Sequence, residues 1–447
     1  MPIFEAEPRI DAAPGGLWAA DGDRVSFEEG DHCCAAGGGC SDHGYLDAGA
    51  LGGIAVCCGG DHGHGFYPDE PLEAAYDHLT AAETYAAAAN PQGLDSLAWA
   101  EAGQHLTRTD RSWSDAGPSM PGFTFGGNGR TLGEGATITY GFLAEGQVSS
   151  DGGRSYRAFT PAEREAIDYA FELIAEVASL TFERVAGEDG VFLDSASDAE
   201  IGLDAIDGSN GGLARTSFTG AGEIVSSAVS IGERGLEDED SYAFRTALHE
   251  IGHALGLSHP GDYNGGGARS YGEDAEYFED SAQYTVMSYW DETATGAQYG
   301  SSYAGNLMLH DVAALQRLYG VNEGTRSGDT TYGFGSNTDD RGWTLDGEDD
   351  VVIGAIWDAG GRDRIDASGY ADDQEIDLRE ESFSSLGGLT WNLAIARGVT
   401  IEEGVGGAGD DRLTGNAADN LLVGGGGDDV ITGGAGADVI YGDALLA

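Results

Sequence analysis

The sequence predicts an α+β domain followed by an all-β, parallel β-roll. Helix and strand patterns alternate from about residue 105 to 320, helical signals stop after Tyr319, and a glycine-rich nine-residue repeat begins at Gly406. At about 150 residues per folding unit, a chain of 447 residues has room for two or three. We place them at 1–65, 66–320 and 321–447, with a helical part at about 70–105 and the repeats at 406–441.

In chain order, residues 1–65 are Gly- and Ala-rich, acidic and without a sustained period, and are expected to be poorly structured. The Ala-rich run at 70–89 favours helix and ends at Asn90-Pro91. Residues 136–142 alternate like a half-buried strand. Thr160-Pro161 opens a helix: Thr160 caps it, Pro161 fits its first turn and Glu163 completes a capping box. Ile167, Ala170, Phe171, Ile174 and Val177 then make one apolar face. Strands are expected at 179–182, 200–203 and 224–231, and further helices at about 241–255 and 309–319.

Composition narrows the possible partners. The chain carries 78 acidic residues against 21 basic ones, every one of them Arg, for a formal charge of −57. Nucleic acid and anionic membranes need positive charge to displace counterions, so neither is expected as a partner. Such self-repulsion calls for bound or screening cations, read here as calcium sites together with adaptation to high salt. No apolar run reaches the roughly 18 residues of a membrane-spanning helix. The first residues, MPIFEAEPRI, lack the basic and apolar regions of a secretory signal.

The chemistry concentrates in His249-Glu250-Ile-Gly-His253-Ala-Leu-Gly256-Leu-Ser-His259-Pro260. On a helix, His249 and His253 share a face and reach one ion. Gly256 ends the helix in the left-handed conformation, and the chain turns back to bring His259 as a third nitrogen ligand. Three imidazoles around one Zn²⁺ leave an open position, the mark of a catalytic site. Glu250 is placed to act as general base on water there. About thirty residues on, Met287 lies in a turn where it would form an apolar floor under the ligands. This pairing of a long His motif with a Met-turn is the metzincin signature. On Tyr289 the residue alone leaves two possibilities open: a phenol that ligates zinc and then binds the oxyanion, or a bystander.

The repeats GGAGDDRLT, GNAADNLLV, GGGGDDVIT and GGAGADVIY start at Gly406, Gly415, Gly424 and Gly433. In such a nonapeptide, a six-residue turn ligates calcium and a three-residue strand points one apolar side chain inward. Leu413, Leu422, Ile431 and Ile440 are the inward residues. The calcium ligands are the turns of Gly407, Gly409, Gly424 and Gly426 with the acids Asp411, Asp429 and Asp438; Asn420 stands in at the second copy. Calcium suits such oxygen cages, so this part is expected to fold when several Ca²⁺ ions bind.

HEIGHALGLSHPGDYN with TVMSYW resembles the serralysin family of metzincins, and so do LMLHDVAALQRLYGVN, TRSGDTTYGFGSN, AIWDAGGRDRIDASGY and GVTIEEGVGG. The likeness runs from about Leu106 to Tyr441. It implies a metzincin zinc-protease catalytic domain, with a mixed twisted sheet and long helices, ahead of a calcium-filled β-roll. It implies a secreted endopeptidase with one Zn²⁺, broad protein or peptide substrates, a one-step type I export channel, a small protein inhibitor and a monomeric state. Tyr289 falls at the family's extra zinc-ligand position. Further calcium ligands fall at Arg326, Gly328 and Thr330, at Asp358, Gly360, Gly361 and Asp363, and at Thr400 and Glu402. Gly212, Leu213 and Ala214 resemble the edge strand that binds extended substrate; an ordinary exposed loop is the alternative.

Two features depart from the family. The sequence ends at Ala447, where family members usually continue into more strands and an export signal, so either it is a shortened form or its export differs. Cys33, Cys34, Cys40, Cys57 and Cys58, with four histidines, crowd the N-terminal segment. That cluster is an incidental part of a cleaved leader, a thiolate inhibitor of the zinc site in a zymogen, or a separate metal site. A different class of function is also open, a non-catalytic calcium-dependent surface or adhesion protein with a relict metal site.

Overall fold

In the computed structural model, the described residues are 16–18, 24–26, 90, 93–114, 132–143, 148–151, 154–185, 199–206, 211–232, 235–264 and 268–443. The expected helix at 70–89 and the five cysteines lie outside them. Among the N-terminal residues, β1 (Gly16–Trp18) and β2 (Arg24–Ser26) form a short antiparallel pair.

The first large unit is a seven-stranded twisted sheet backed by helices. Its strands are β3 (Ala136–Phe142), β4 (Val148–Asp151), β5 (Arg154–Arg157), β6 (Leu180–Arg184), β7 (Ile201–Ile206), β8 (Gly212–Phe218) and β9 (Ile224–Gly232). β6, β3, β7 and β9 run parallel, and β8 closes one edge antiparallel to β9. The β4–β5 hairpin pairs antiparallel with the far half of β7. Its polar, glycine-containing sequence lacks the alternation that reveals a strand. The sheet is therefore mixed, as expected.

Helix α1 (Trp99–Leu106) precedes the sheet. Helix α2 (Pro161–Val177) starts as the capping box requires: the Glu163 N–H donates to Thr160 Oγ1 at 3.3 Å and the Thr160 N–H to Glu163 Oε2 at 2.6 Å. Its expected apolar face is buried throughout. Helix α3 (Tyr242–Ala254) is capped by Ser241, and a one-turn α4 (Tyr271–Asp274) and α5 (Leu309–Tyr319) follow. Strand ends differ from expectation by a few residues, as ladder pairing extends β6 to Arg184 and β7 to Ile206.

The second unit is a roll of short strands. One six-stranded parallel sheet joins β10 (Thr331–Phe334), β11 (Thr344–Leu345), β13 (Arg364–Asp366), β17 (Glu403–Val405), β19 (Leu421–Gly425) and β21 (Val439–Asp443). A second sheet holds β14 (Glu375–Asp377), β18 (Arg412–Thr414) and β20 (Val430–Thr432). A third holds β12 (Gly354–Ile356), β15 (Phe383–Ser384) and β16 (Leu393–Ile395). Glu403 pairs with Leu421 and Leu421 with Val439, while Arg412 pairs with Val430. Successive nonapeptides thus alternate between two facing sheets. Leu413 and Leu422 are fully buried between these sheets. Ile431 and Ile440 are only partly buried, because they lie toward the end of the roll.

One buried apolar core runs through both units. Polar bonds cross the same boundary: the Ala355 N–H donates to the Leu307 carbonyl at 2.8 Å, and Tyr299 Oη to the Trp391 carbonyl at 3.1 Å. Among the described residues, no helix is long and apolar enough to cross a membrane.

Candidate metal centre

Helix α3 places His249 and His253 one turn apart on its C-terminal half. Gly256 then ends the helix with φ +98°, where an added Cβ would stand 2.1 Å from the Arg111 carbonyl oxygen. Any other residue there meets both a backbone clash and a strained φ. Trp113 Nε1 caps the Ala254 carbonyl at 2.9 Å and Tyr319 Oη caps Leu255 at 2.7 Å. The returning chain is tied down at its carbonyls by Arg108, which donates to His259 at 2.7 Å. His259 thereby meets the other two imidazoles.

The hydrogen bonds assign the tautomers. Nδ1 of His249 faces the Val286 carbonyl at 2.8 Å, Nδ1 of His253 that of Leu257 at 2.8 Å, and Nδ1 of His259 that of Tyr263 at 2.9 Å. A carbonyl only accepts, so each Nδ1 carries the proton and each Nε2 keeps a bare lone pair. Yet Nε2 of His259 lies 3.2 Å from that of His249 and 3.0 Å from that of His253. Lone pairs so close repel unless a cation stands among them. Burial holds all three imidazoles neutral, with repulsion from neighbouring imidazoles adding to it at His249 and His259: His249 is pushed well below its usual pKa, His253 is lowered, and His259 falls to about 4. Three neutral nitrogens, each oriented through its other ring nitrogen, fit a zinc ion. Among the described residues this is the one group of three His, Cys, Asp or Glu side chains close enough to hold a metal.

Glu250 follows His249 on α3, is buried, and lies against Gly212 of β8. Burial pushes its carboxyl up to about 8, opposed by the Ala214 N–H that donates to it. Its Oε2 is enclosed and has no partner. Met287 is fully buried beneath α3, and a Cβ on Gly252 would be 2.7 Å from its sulfur. The Tyr289 ring is 39% exposed, 4.5 Å from the His259 ring and 5.9 Å from that of His249 between centroids. The structure thus brings Tyr289 to the triad and Met287 under Gly252 of the helix that carries His249 and His253.

Strand β8 borders this site. The Gly232 N–H bonds the Gly211 carbonyl. With Gly212 opposite Ile231, Leu213 and Arg215 then direct their backbone groups to β9, while those of Gly212, Ala214 and Thr216 face outward. Of the three expected edge residues, Gly212 and Ala214 carry the outward groups.

Sequence reasoning missed the residues that hold the ligands in place. Tyr263 stacks on His259 with its ring 5.4 Å away and donates its hydroxyl to buried Asp280 at 2.7 Å. Asp280 also accepts from Ser288 Oγ and Trp290 Nε1, on either side of Tyr289. Arg245 donates to the Ser288 carbonyl at 2.7 Å. Nothing in local spacing marks these residues, apart from the position of Tyr263 four residues beyond His259.

Two family models match the chain, Matrixin over residues 153–272 and Peptidase M10 serralysin C terminal over residues 321–444. Serralysin C of Dickeya chrysanthemi is 39% identical over 324 residues, 72% of this chain and 65% of that protein. Serralysin of Proteus mirabilis is 40% identical over 333 residues, 71% of this chain and 64% of that protein. The chain belongs to the serralysin family. It spans 65% or less of the length of these two relatives. A solved structure titled "Structure of myroilysin" aligns at 19% identity and a TM-score of 0.25, covering 44% of this chain and 98% of that one. So weak a likeness has no bearing on the fold.

In the serralysin-type roll, Asp358 and Asp363 are buried. The Thr330 N–H donates to Asp363 Oδ1 at 2.8 Å and the Asp363 N–H to Glu402 Oε2 at 2.8 Å, while Asp363 Oδ2 is enclosed without a partner. Burial, reinforced by Asp358 and Glu402, pushes Asp363 up to about 7. Thr330 Oγ1 bonds the Gly328 carbonyl, the Gly360 N–H bonds Asp358, and Arg326 holds a positive φ of 47°. A Cβ on Gly361 would be 2.5 Å from the Gly328 carbonyl oxygen, and Thr400 is exposed. In the repeats, Asp411 accepts from Gln374 and Gly407, Asp429 from Asp411, and Asp438 from Asn420. Each acid therefore ties its turn to another coil.

Proposed function

We propose that this chain is a secreted zinc-dependent endopeptidase that hydrolyses peptide bonds in proteins and is stabilised by calcium in its roll. The observation that carries this reading is three converging Nε2 lone pairs, with the next residue after the first of them on α3 a buried glutamate that has an unpartnered oxygen. His249, His253 and His259 would hold a zinc ion, which would supply Lewis acidity for a peptide carbonyl and for water. The rest follows from the chain's own side chains. An extended peptide adds to the outer edge of β8, where Gly212 and the Ala214 carbonyl offer backbone groups while the Ala214 N–H holds Glu250. Glu250 takes a proton from water, holds it in its desolvated pocket and returns it to the leaving amine. The phenol of Tyr289 donates to the developing oxyanion.

Calcium is assigned to the loop acids Asp358, Asp363 and Glu402 and to the repeat acids Asp411, Asp429 and Asp438. The enclosed, unpartnered oxygen of Asp363 supports this assignment, since a hard cation is the partner such a carboxylate lacks. The match to the Peptidase M10 serralysin C-terminal model supports a protein substrate.

The test compares the full chain with Glu250→Ala on casein, with zinc and calcium present and after chelation. The parent should cleave, and both Glu250→Ala and the chelated parent should lose at least about a hundredfold in rate. Equal cleavage by the parent and Glu250→Ala would defeat the assignment.

A further inference from the structure

Strand β8 touches the proposed base directly. A Cβ built on Gly212 would stand 2.3 Å from Glu250 Cγ, 2.8 Å from its Cδ and 2.6 Å from its Oε1. Gly212 does not have a positive φ. It is the first residue of β8, paired with Ile231 and preceded by a ladder bond at Gly211, so the backbone is extended there and an L residue fits it. The backbone therefore gives no reason for a glycine here, but the Glu250 side chain does. Two residues on, the outward N–H of Ala214 donates to the same carboxylate. The strand thus offers Glu250 a gap and a donor, and leaves Oε2 free.

We propose that Gly212 is a positioning residue for Glu250: its missing side chain is the space in which the carboxylate lies against the substrate-binding strand. This rests on the peptidase reading and adds to it a residue that sets the base. A methyl group at 212 must push Glu250 away from β8, because the backbone on either side is fixed by pairing to β9. The displaced carboxylate then loses its line to the reacting water, while the outward groups that dock a peptide remain.

The experiment has two arms, both on the full chain loaded with zinc and calcium. In the first, Gly212→Ala should lower kcat on casein by about a hundredfold, the scale of a misplacement near 1 Å. KM should stay within about threefold of the parent and zinc content should be unchanged. A kcat within about threefold of the parent, or zinc lost in proportion to activity, overturns the proposal. In the second arm, melting temperatures are measured for the parent, Gly212→Ala, Glu250→Ala and the double variant. Gly212→Ala should lower the melting temperature where Glu250 is present, and by less than about half as much where it is Ala. An equal drop in both backgrounds overturns the proposal, as does a Gly212→Ala chain that fails to fold in both. An inactive parent would sink the peptidase reading instead, and the second arm would still decide the contact.

Discussion

Asp311 and His249 are coupled through one residue: the Val286 N–H donates to Asp311 Oδ2 at 2.9 Å, and the Val286 carbonyl accepts from His249 Nδ1 at 2.8 Å. Asp311 lies fully buried on α5 and also accepts from Thr285 Oγ1 at 2.6 Å and the Met308 N–H at 3.0 Å. One carboxylate thus pins the start of the Met-turn, and the Met-turn aims the first imidazole. Asp311→Ala leaves three buried donors without an acceptor, at a cost of about 3 kcal/mol. It should also weaken zinc binding by about tenfold or more, as loss of an outer partner of a ligating histidine does. Denaturant unfolding and competition with a chromogenic chelator measure the two effects. Unchanged zinc affinity would show that Val286 is held without Asp311.

The return of the chain to His259 depends on Gly256. With φ +98° and the Arg111 carbonyl in the way, Gly256→Ala combines strain with a clash and should cost at least about 2 kcal/mol. The effect on metal should be selective, since His249 and His253 stay on α3 while His259 shifts. We expect zinc content after dialysis to fall well below that of the parent while far-UV circular dichroism is retained. Full zinc occupancy in a stable Gly256→Ala protein would argue against this hinge.

These two cases show which parts of the site the sequence made legible. His249, His253, Gly256 and His259 were readable because helix periodicity and a left-handed stop are local rules. Asp311, Arg245 and Arg108 act across separations of 25, 43 and 151 residues. Asp280 bonds side chains at no helical or strand spacing, and a carboxylate that accepts main-chain N–H groups leaves no periodic trace. The same contrast holds in the fold. The capping box at Thr160 and the phase of the repeats were visible, whereas the β4–β5 hairpin and the docking of the roll against the Met-turn region were not. Burial depends on what stacks above: Leu413 and Ile431 occupy the same repeat position but are not equally covered.

Asp204 gives a pH dependence away from the metal centre. It is 1% exposed on β7, and its Oδ1 has no partner. Burial pushes its carboxyl up to about 6, partly offset by a hydrogen bond from Ser230 and the charge of Arg215. A folded pKa above the unfolded value of about 3.9 means that the native state holds the proton more tightly. The stabilising contribution is therefore complete below about pH 4 and is lost as pH rises through about 6. Relative to Asp204→Asn, the parent should lose about 2 kcal/mol of stability between pH 4 and 7. Urea unfolding of both proteins across that range provides the check, and parallel profiles would contradict it.

Arg326 should decide whether the two units melt together. Its side chain is 9% exposed, with the guanidinium 2.5 Å from Glu176 on α2, 3.0 Å from Asp340 in the roll and 3.2 Å from the Trp357 carbonyl. The rings of Tyr332 and Trp343 flank it, with centroids 5.8 Å and 5.6 Å away. Burial pushes Glu176 up to about 7 even with the Arg326 charge pulling it down. Removing that charge leaves two carboxylates facing each other across the boundary. Arg326→Ala should cost about 3 kcal/mol, the lower end for breaking a buried pair because Glu176 is partly solvated. Arg326→Lys should recover only part of this, since an ammonium cannot fork between two acids and a carbonyl. With calcium bound, calorimetry should give one cooperative transition for the parent and two for Arg326→Ala, because the apolar contacts alone no longer force both units to unfold together. A single undivided transition in Arg326→Ala would assign the coupling to the continuous apolar core, of which Tyr284 and Phe383, with rings 5.2 Å apart across the boundary, are the next pair to remove.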